Sequence, residues 1–103
     1  MNADTVRSRN DVPIRLPQER LFHITEEHSE MAGYYFDVIE TVQEPQAIYE
    51  GKAGEYLAVR EVEMGKYIVV VYREVGASDG FIITAFLTRR KVQLERRQRL
   101  WPP

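Results

Sequence analysis

The chain has no cysteine. Disulfides, thiolate zinc centres and cysteine nucleophiles are excluded, and nothing calls for an oxidising compartment. Histidine is almost as scarce, with only His23 and His28. Five residues apart, they would lie about 140° apart around a helix, so one helix cannot present both to a single metal. No metal or other cofactor is expected. Long apolar runs are also missing. The longest, Tyr67 to Tyr72, is far below the roughly 20 residues a membrane helix needs. Met1 to Asn10 lacks the apolar centre of a signal peptide. The expected location is cytoplasmic, with no membrane partner. There is no glycine-rich phosphate loop and no serine flanked by glycines, which removes the common nucleotide-cradling and acyl-transfer motifs.

What is present fits one domain of 103 residues with 44% hydrophobic content, enough for a single modest core. Charge is distributed unevenly around a net of -2. Residues 1–65 carry 13 acids and 6 bases, whereas residues 66–103 carry 3 acids and 8 bases. Much of the positive excess lies in Arg89, Arg90, Lys91, Arg96, Arg97 and Arg99, a cluster suited to phosphate contact through counterion release. A solvated basic tail is the plain alternative.

Residues 1–11 are polar and without periodicity, which predicts a flexible arm. Val12 to Leu16 contains Pro13 and reads as a short edge strand, because proline cannot donate to a ladder. Pro17 suits the first turn of a helix running to about Ser29, and Glu19 adds a favourable negative charge there. Leu21, Ile24 and His28 share one stripe of that helix. Tyr35, Val38, Ile39 and Val42 predict a second amphipathic helix that stops before Pro45. Strands follow at about 47–50, 55–63, 66–75 and 80–89, separated by Gly51 to Gly54, Met64-Gly65 and Gly76 to Gly80. The domain is expected to span residues 12–90, with 91–103 as a basic C-terminal tail. The fold class is α+β: two N-terminal helices packed on a four-stranded antiparallel sheet.

Pairing Glu63 with Lys66 across a two-residue turn sets a register in which Arg60 faces Val69 and Tyr56 faces Arg73. One sheet face then holds Leu57, Val59, Ile68, Val70, Phe81, Ile83, Ala85 and Leu87, buried against the helices. The opposite face carries Tyr56, Arg60, Arg73, Thr84 and Thr88. A one-residue slip would invert this assignment. A basic, hydroxyl-bearing, partly aromatic sheet face can hold a phosphate and stack a base. Equally, Val69, Val71, Ile82 and Phe86 can be covered by the chain's own ends or by a second subunit.

Cleavage of RNA by its own 2′-hydroxyl needs a base, an acid and a cation. Histidine suits proton transfer because its unperturbed pKa lies near neutrality, and His23 and His28 are the two this sequence offers. Arg60 and Arg73 supply planar forks for phosphate, and Thr84 and Thr88 can orient its oxygens. Each also has an ordinary structural reading: surface histidines among acids, cross-strand ion pairs, and threonines favoured in strands by shape.

The run Arg20-Leu21-Phe22-His23-Ile24 with His28, then Lys66 to Arg73, then Gly80 to Phe86, resembles a small bacterial and phage family. That family is grouped with the barnase, EndoU, colicin and RelE type of nuclease fold. The likeness extends from about Ile14 to Arg90. It implies a RelE- or barnase-like architecture and a metal-independent ribonuclease or toxin-like domain acting on transfer or messenger RNA. His23, His28, Arg73 and Thr84 are the matching polar positions and so the implied catalytic residues; a separate expectation makes the chain one half of a toxin and antitoxin pair that folds fully only with its cognate antitoxin. Tyr56, Arg60, Thr88, Arg89 and Arg90 are the expected nucleic-acid contacts. The acidic net charge departs from the strongly basic character of that group. The competing expectation is a non-catalytic homodimer that binds a partner or nucleic acid through its basic tail.

Overall fold

A computed structural model describes residues 4–103. Strands β1 (Asp4–Arg7) and β2 (Pro13–Leu16) precede helices α1 (Gln18–Glu27) and α2 (Tyr35–Gln43), with a 3₁₀ turn at Ser29–Met31 between the helices. Then come β3 (Ala47–Glu50), β4 (Tyr56–Glu63), β5 (Lys66–Glu74) and β6 (Gly80–Thr88), followed by α3 (Lys91–Glu95) and β7 (Arg99–Trp101). The seven strands form one sheet in the order β1-β2-β6-β5-β4-β3-β7. All neighbours are antiparallel except β2 and β6, which run parallel and pair at Arg15↔Phe81.

This mixed seven-stranded sheet with three short helices corrects the expected four-stranded antiparallel, RelE- or barnase-like arrangement. The additions come from the two ends. Residues 4–7 form a strand instead of a flexible arm, and 91–103 contribute α3 and β7 instead of a free tail. Consequently β2 is flanked on both sides, with β1 outside it, and Pro13 sits at its first position, where its missing donor is tolerated.

Helices α1 and α2 pack on one sheet face. Ile24, Val38 and Val42 are buried there with Ala58, Ile68, Val70, Tyr72, Ile82 and Ala85. The other face has its own cluster of Tyr49, Leu57, Val59, Val69 and Val71, onto which α3 seats Leu94. Both faces are therefore apolar in the middle strands, which explains the unbroken buried run Ile68 to Tyr72.

Two bulges decide which side chains share a face. Gly65 adopts φ +74, but Met64 is not among the positive-φ residues. A two-residue hairpin of the favoured type needs positive φ at both positions. The turn instead leaves Val62 unpaired, since Glu63 pairs with Lys66 while Glu61 pairs with Tyr67. A second shift leaves Ile83 unpaired, between Val71↔Thr84 and Tyr72↔Ile82. Each extra residue reverses parity beyond it. Leu57 and Val59 thus face away from α1 and α2, while Tyr56, Ala58 and Arg60 face toward them.

The connection from β1 to β2 crosses one end of the sheet. Ser8 and Asn10 donate to the Glu74 carboxylate at 2.6 and 3.0 Å. Arg9 lays its guanidinium 4.3 Å from the centre of the Trp101 ring, so the hairpin at one edge touches the strand at the other.

Candidate functional site

Past Phe81, β6 has a strand partner on one side only, because β2 ends at Leu16 and the chain turns into α1. Helix α1 and the 3₁₀ turn run beside that open side of β6. Ile24 anchors the helix, being almost fully buried in the core. Its outer side is thereby turned to solvent, with His23 60% exposed.

Where β2 gives way to α1, a cleft of ≈ 290 Å³ is lined by Arg15, Pro17, Glu19, Arg20, His23, Phe81 and Ile82. Glu19 and His23 stand one helical turn apart, a spacing that puts them on the same side of α1. The His23 Nδ1 atom lies 3.5 Å from Glu26. Arg15 grips Asp79 with two bonds, Nε to Oδ1 at 2.9 Å and Nη2 to Oδ2 at 3.2 Å. That contact holds the Asp79 carboxyl below its ordinary value, chiefly through the side-chain hydrogen bond from Arg15, and raises the guanidinium in turn. Arg20 has no carboxylate within ion-pair distance among the described residues.

His28 occupies the far end of the same helix. Its ring centre is 5.9 Å from that of Phe86, and its Nδ1 is 3.5 Å from Glu30. His23 shares its cleft with Phe81, and His28 lies beside Phe86 of the same strand.

The expected convergence of Tyr56, Arg60, Arg73, Thr84 and Thr88 on one outer face is overturned by the Val62 bulge. Tyr56 and Arg60 lie on the helix-bearing side. Tyr56 stacks on Tyr72, with ring centres 5.3 Å apart, and its hydroxyl is pushed up by burial and by Glu74. Arg60 donates from Nη1 to the Glu44 carbonyl at the end of α2. Arg73, Thr84 and Thr88 do share the other face. There Arg73 donates to the Ala53 carbonyl at 3.1 Å and lies 4.0 Å from Glu55. The Thr84 hydroxyl is buried without a hydrogen-bond partner, and Thr88 accepts from the Arg90 backbone N–H at 3.0 Å. Arg89 and Arg90 are exposed just beyond β6.

Sequence reasoning missed Arg15, Arg20, Glu19 and Phe81 as companions of His23. The spacing of Glu19 and His23 along the helix was a readable signal. The approach of Arg15 to Phe81 depends on a parallel pairing between distant segments and left none. Among the described residues no three His, Cys, Asp or Glu side chains converge as a metal site, and no helix is long and apolar enough to cross a membrane. Comparisons with protein-family models, curated proteins and solved structures give no match.

Proposed function

We propose that this chain is a metal-independent ribonuclease domain, toxin-like in kind, that cleaves transfer or messenger RNA at the cleft between α1 and β6. The observation that carries the reading is the company His23 keeps: Glu19, Arg15, Arg20 and Phe81 around one cleft. These supply two proton-transfer groups, two guanidiniums and an aromatic ring, the set that phosphodiester transfer on a single strand requires. The α1 run Arg20 to His28 is also one of the three stretches in which we read a likeness to the small family grouped with that nuclease fold.

In this reading Glu19 accepts the 2′-hydroxyl proton as the 2′-oxygen attacks the adjacent phosphorus. The bond from phosphorus to the 5′-oxygen breaks, and His23 donates a proton to that leaving oxygen. The products are a 2′,3′-cyclic phosphate and a 5′-hydroxyl. Arg20 meets the charge that develops on the phosphoryl oxygens, joined by Arg15 when it leaves Asp79. Phe81 offers a stacking surface for a base, and His28 beside Phe86 extends the track along β6.

The alternative of a non-catalytic homodimer joined through the open sheet face has less support, because α3 already seats Leu94 on that face. The test is incubation of purified protein with total RNA in excess chelator, comparing wild type with His23→Ala, Glu19→Gln and Arg20→Ala. Loss of one proton-transfer group is expected to slow cleavage by about 10²–10⁴-fold. Cleavage undiminished in His23→Ala rejects the cleft as the site. Wild-type protein that leaves RNA intact rejects the activity.

A further inference from the structure

We infer that the surface formed by α3 and β7 is a second RNA contact, binding phosphates of the substrate away from the scissile position. The inference rests on RNA being the substrate of the α1–β6 cleft. Residues 89–99 hold six cations, Arg89, Arg90, Lys91, Arg96, Arg97 and Arg99, against the single acid Glu95. In a chain with a net charge of -2, this is a pronounced local concentration of positive charge.

None of the six makes an ion pair with a carboxylate among the described residues. Of their side chains, only that of Arg97 hydrogen-bonds to the body of the sheet, reaching the Glu50 carbonyl at 3.5 Å. The remaining five side chains are exposed. Leu94 fixes α3 by burying itself on the sheet, and β7 pairs with β3 at Ile48↔Trp101 and Tyr49↔Arg99. The cations are thus carried on docked elements, so the backbone that bears them needs no ordering on binding.

Between α3 and β7 lies a hollow of ≈ 180 Å³, lined in part by Lys91, Glu95, Arg99, Gln46 and Tyr49. Lys91 also places its ammonium 5.6 Å from the centre of the Tyr67 ring. Guanidiniums lacking acidic partners, with an ammonium beside an aromatic ring, match the backbone and bases of a single strand. Arg89 and Arg90 leave β6 directly, so one extended strand lying along β6 can continue onto α3. The substrate class that follows is RNA longer than the few nucleotides the cleft accommodates.

The experiment compares Lys91→Gln/Arg96→Gln/Arg99→Gln with the charge-preserving Arg96→Lys/Arg99→Lys in the full chain. Binding of a fluorescent 30-nucleotide single-stranded RNA is titrated across salt concentrations. Cleavage of a dinucleotide, too short to reach α3, is measured in parallel. The neutral triple variant should bind the long RNA at least about tenfold more weakly, with a salt slope smaller by about 2. Its dinucleotide cleavage should equal wild type, and the lysine variant should retain affinity. Undiminished affinity and slope in the triple variant overturn the second contact and leave an acidic protein surface as the occupant. An equal loss in the lysine variant also overturns it, by assigning these residues a structural role. Failure of the wild type on the dinucleotide rejects the cleft chemistry instead, so the two claims fail separately.

Discussion

Arg15 and Asp79 face each other at the mouth of the α1–β6 cleft, joined by paired bonds of 2.9 and 3.2 Å. A carboxylate offers a guanidinium the same two-oxygen geometry that a phosphate does. Asp79 therefore occupies the fork that a substrate phosphate would take.

Replacing Asp79 with Asn removes the competing charge and leaves Arg15 available. Affinity for a nucleoside monophosphate, measured by calorimetric titration, should rise several-fold, and Arg15→Ala should cancel the gain. An unchanged dissociation constant in Asp79→Asn would show that Arg15 is not a ligand.

Stability should fall in acid for identifiable reasons. Glu55 is held below its ordinary value by its own backbone N–H and that of Ala53, which reaches its carboxylate at 2.8 Å. Asp79 is held low by Arg15. A carboxyl whose folded pKa is depressed contributes stability above its unfolded value and loses it as pH drops through the folded one. The melting temperature should therefore decline below about pH 4. Glu55→Gln/Asp79→Asn should flatten that decline, and an equally steep acid limb in the double variant would assign it to other groups.

Gly80 permits the close approach of β2 to the end of β6. A Cβ there would lie 2.6 Å from the Arg73 carbonyl oxygen and also collide with Ile14. Because one of those neighbours is backbone, Gly80→Ala should cost about 1–3 kcal/mol by overpacking, read as a lower urea midpoint. It should also slow dinucleotide cleavage, since Arg15↔Phe81 pairing sits beside it. Wild-type stability would mean that the strands separate freely at this point.

Leu94 closes the second core, only 6% exposed among Tyr49, Leu57, Val59, Val69 and Val71. Leu94→Ala should destabilise by about 2–3 kcal/mol, and truncation after Arg90 should cost more, because it also strips β7 from β3. Denaturant unfolding of both variants checks this. A truncated chain as stable as the full one would make 91–103 a dispensable tail.

The long elements were legible because their periods are strong. Leu21 and Ile24 marked α1, Val38 and Val42 marked α2, and the central strands were bounded by glycine turns. The short edge strands were hidden. Asp4 to Arg7 offers one apolar side chain, Val6, and Arg99 to Trp101 is too brief to show alternation. Face assignment failed at Val62 and Ile83, where one unpaired residue each reverses parity without altering composition. The candidate site was half visible. Histidine type and helix position pointed to His23, but Arg15 and Phe81 reach it only through pairing across most of the chain.

The stacking of Arg9 on Trp101 has a bearing on how the chain assembles. It joins positions near the two ends of the sequence, so it can form only after the intervening strands are in order. A contact closed across so long a stretch of chain is expected late, once other pairings have shortened the loop it closes. The clasp should therefore govern how fast the protein opens and have little influence on how fast it collapses.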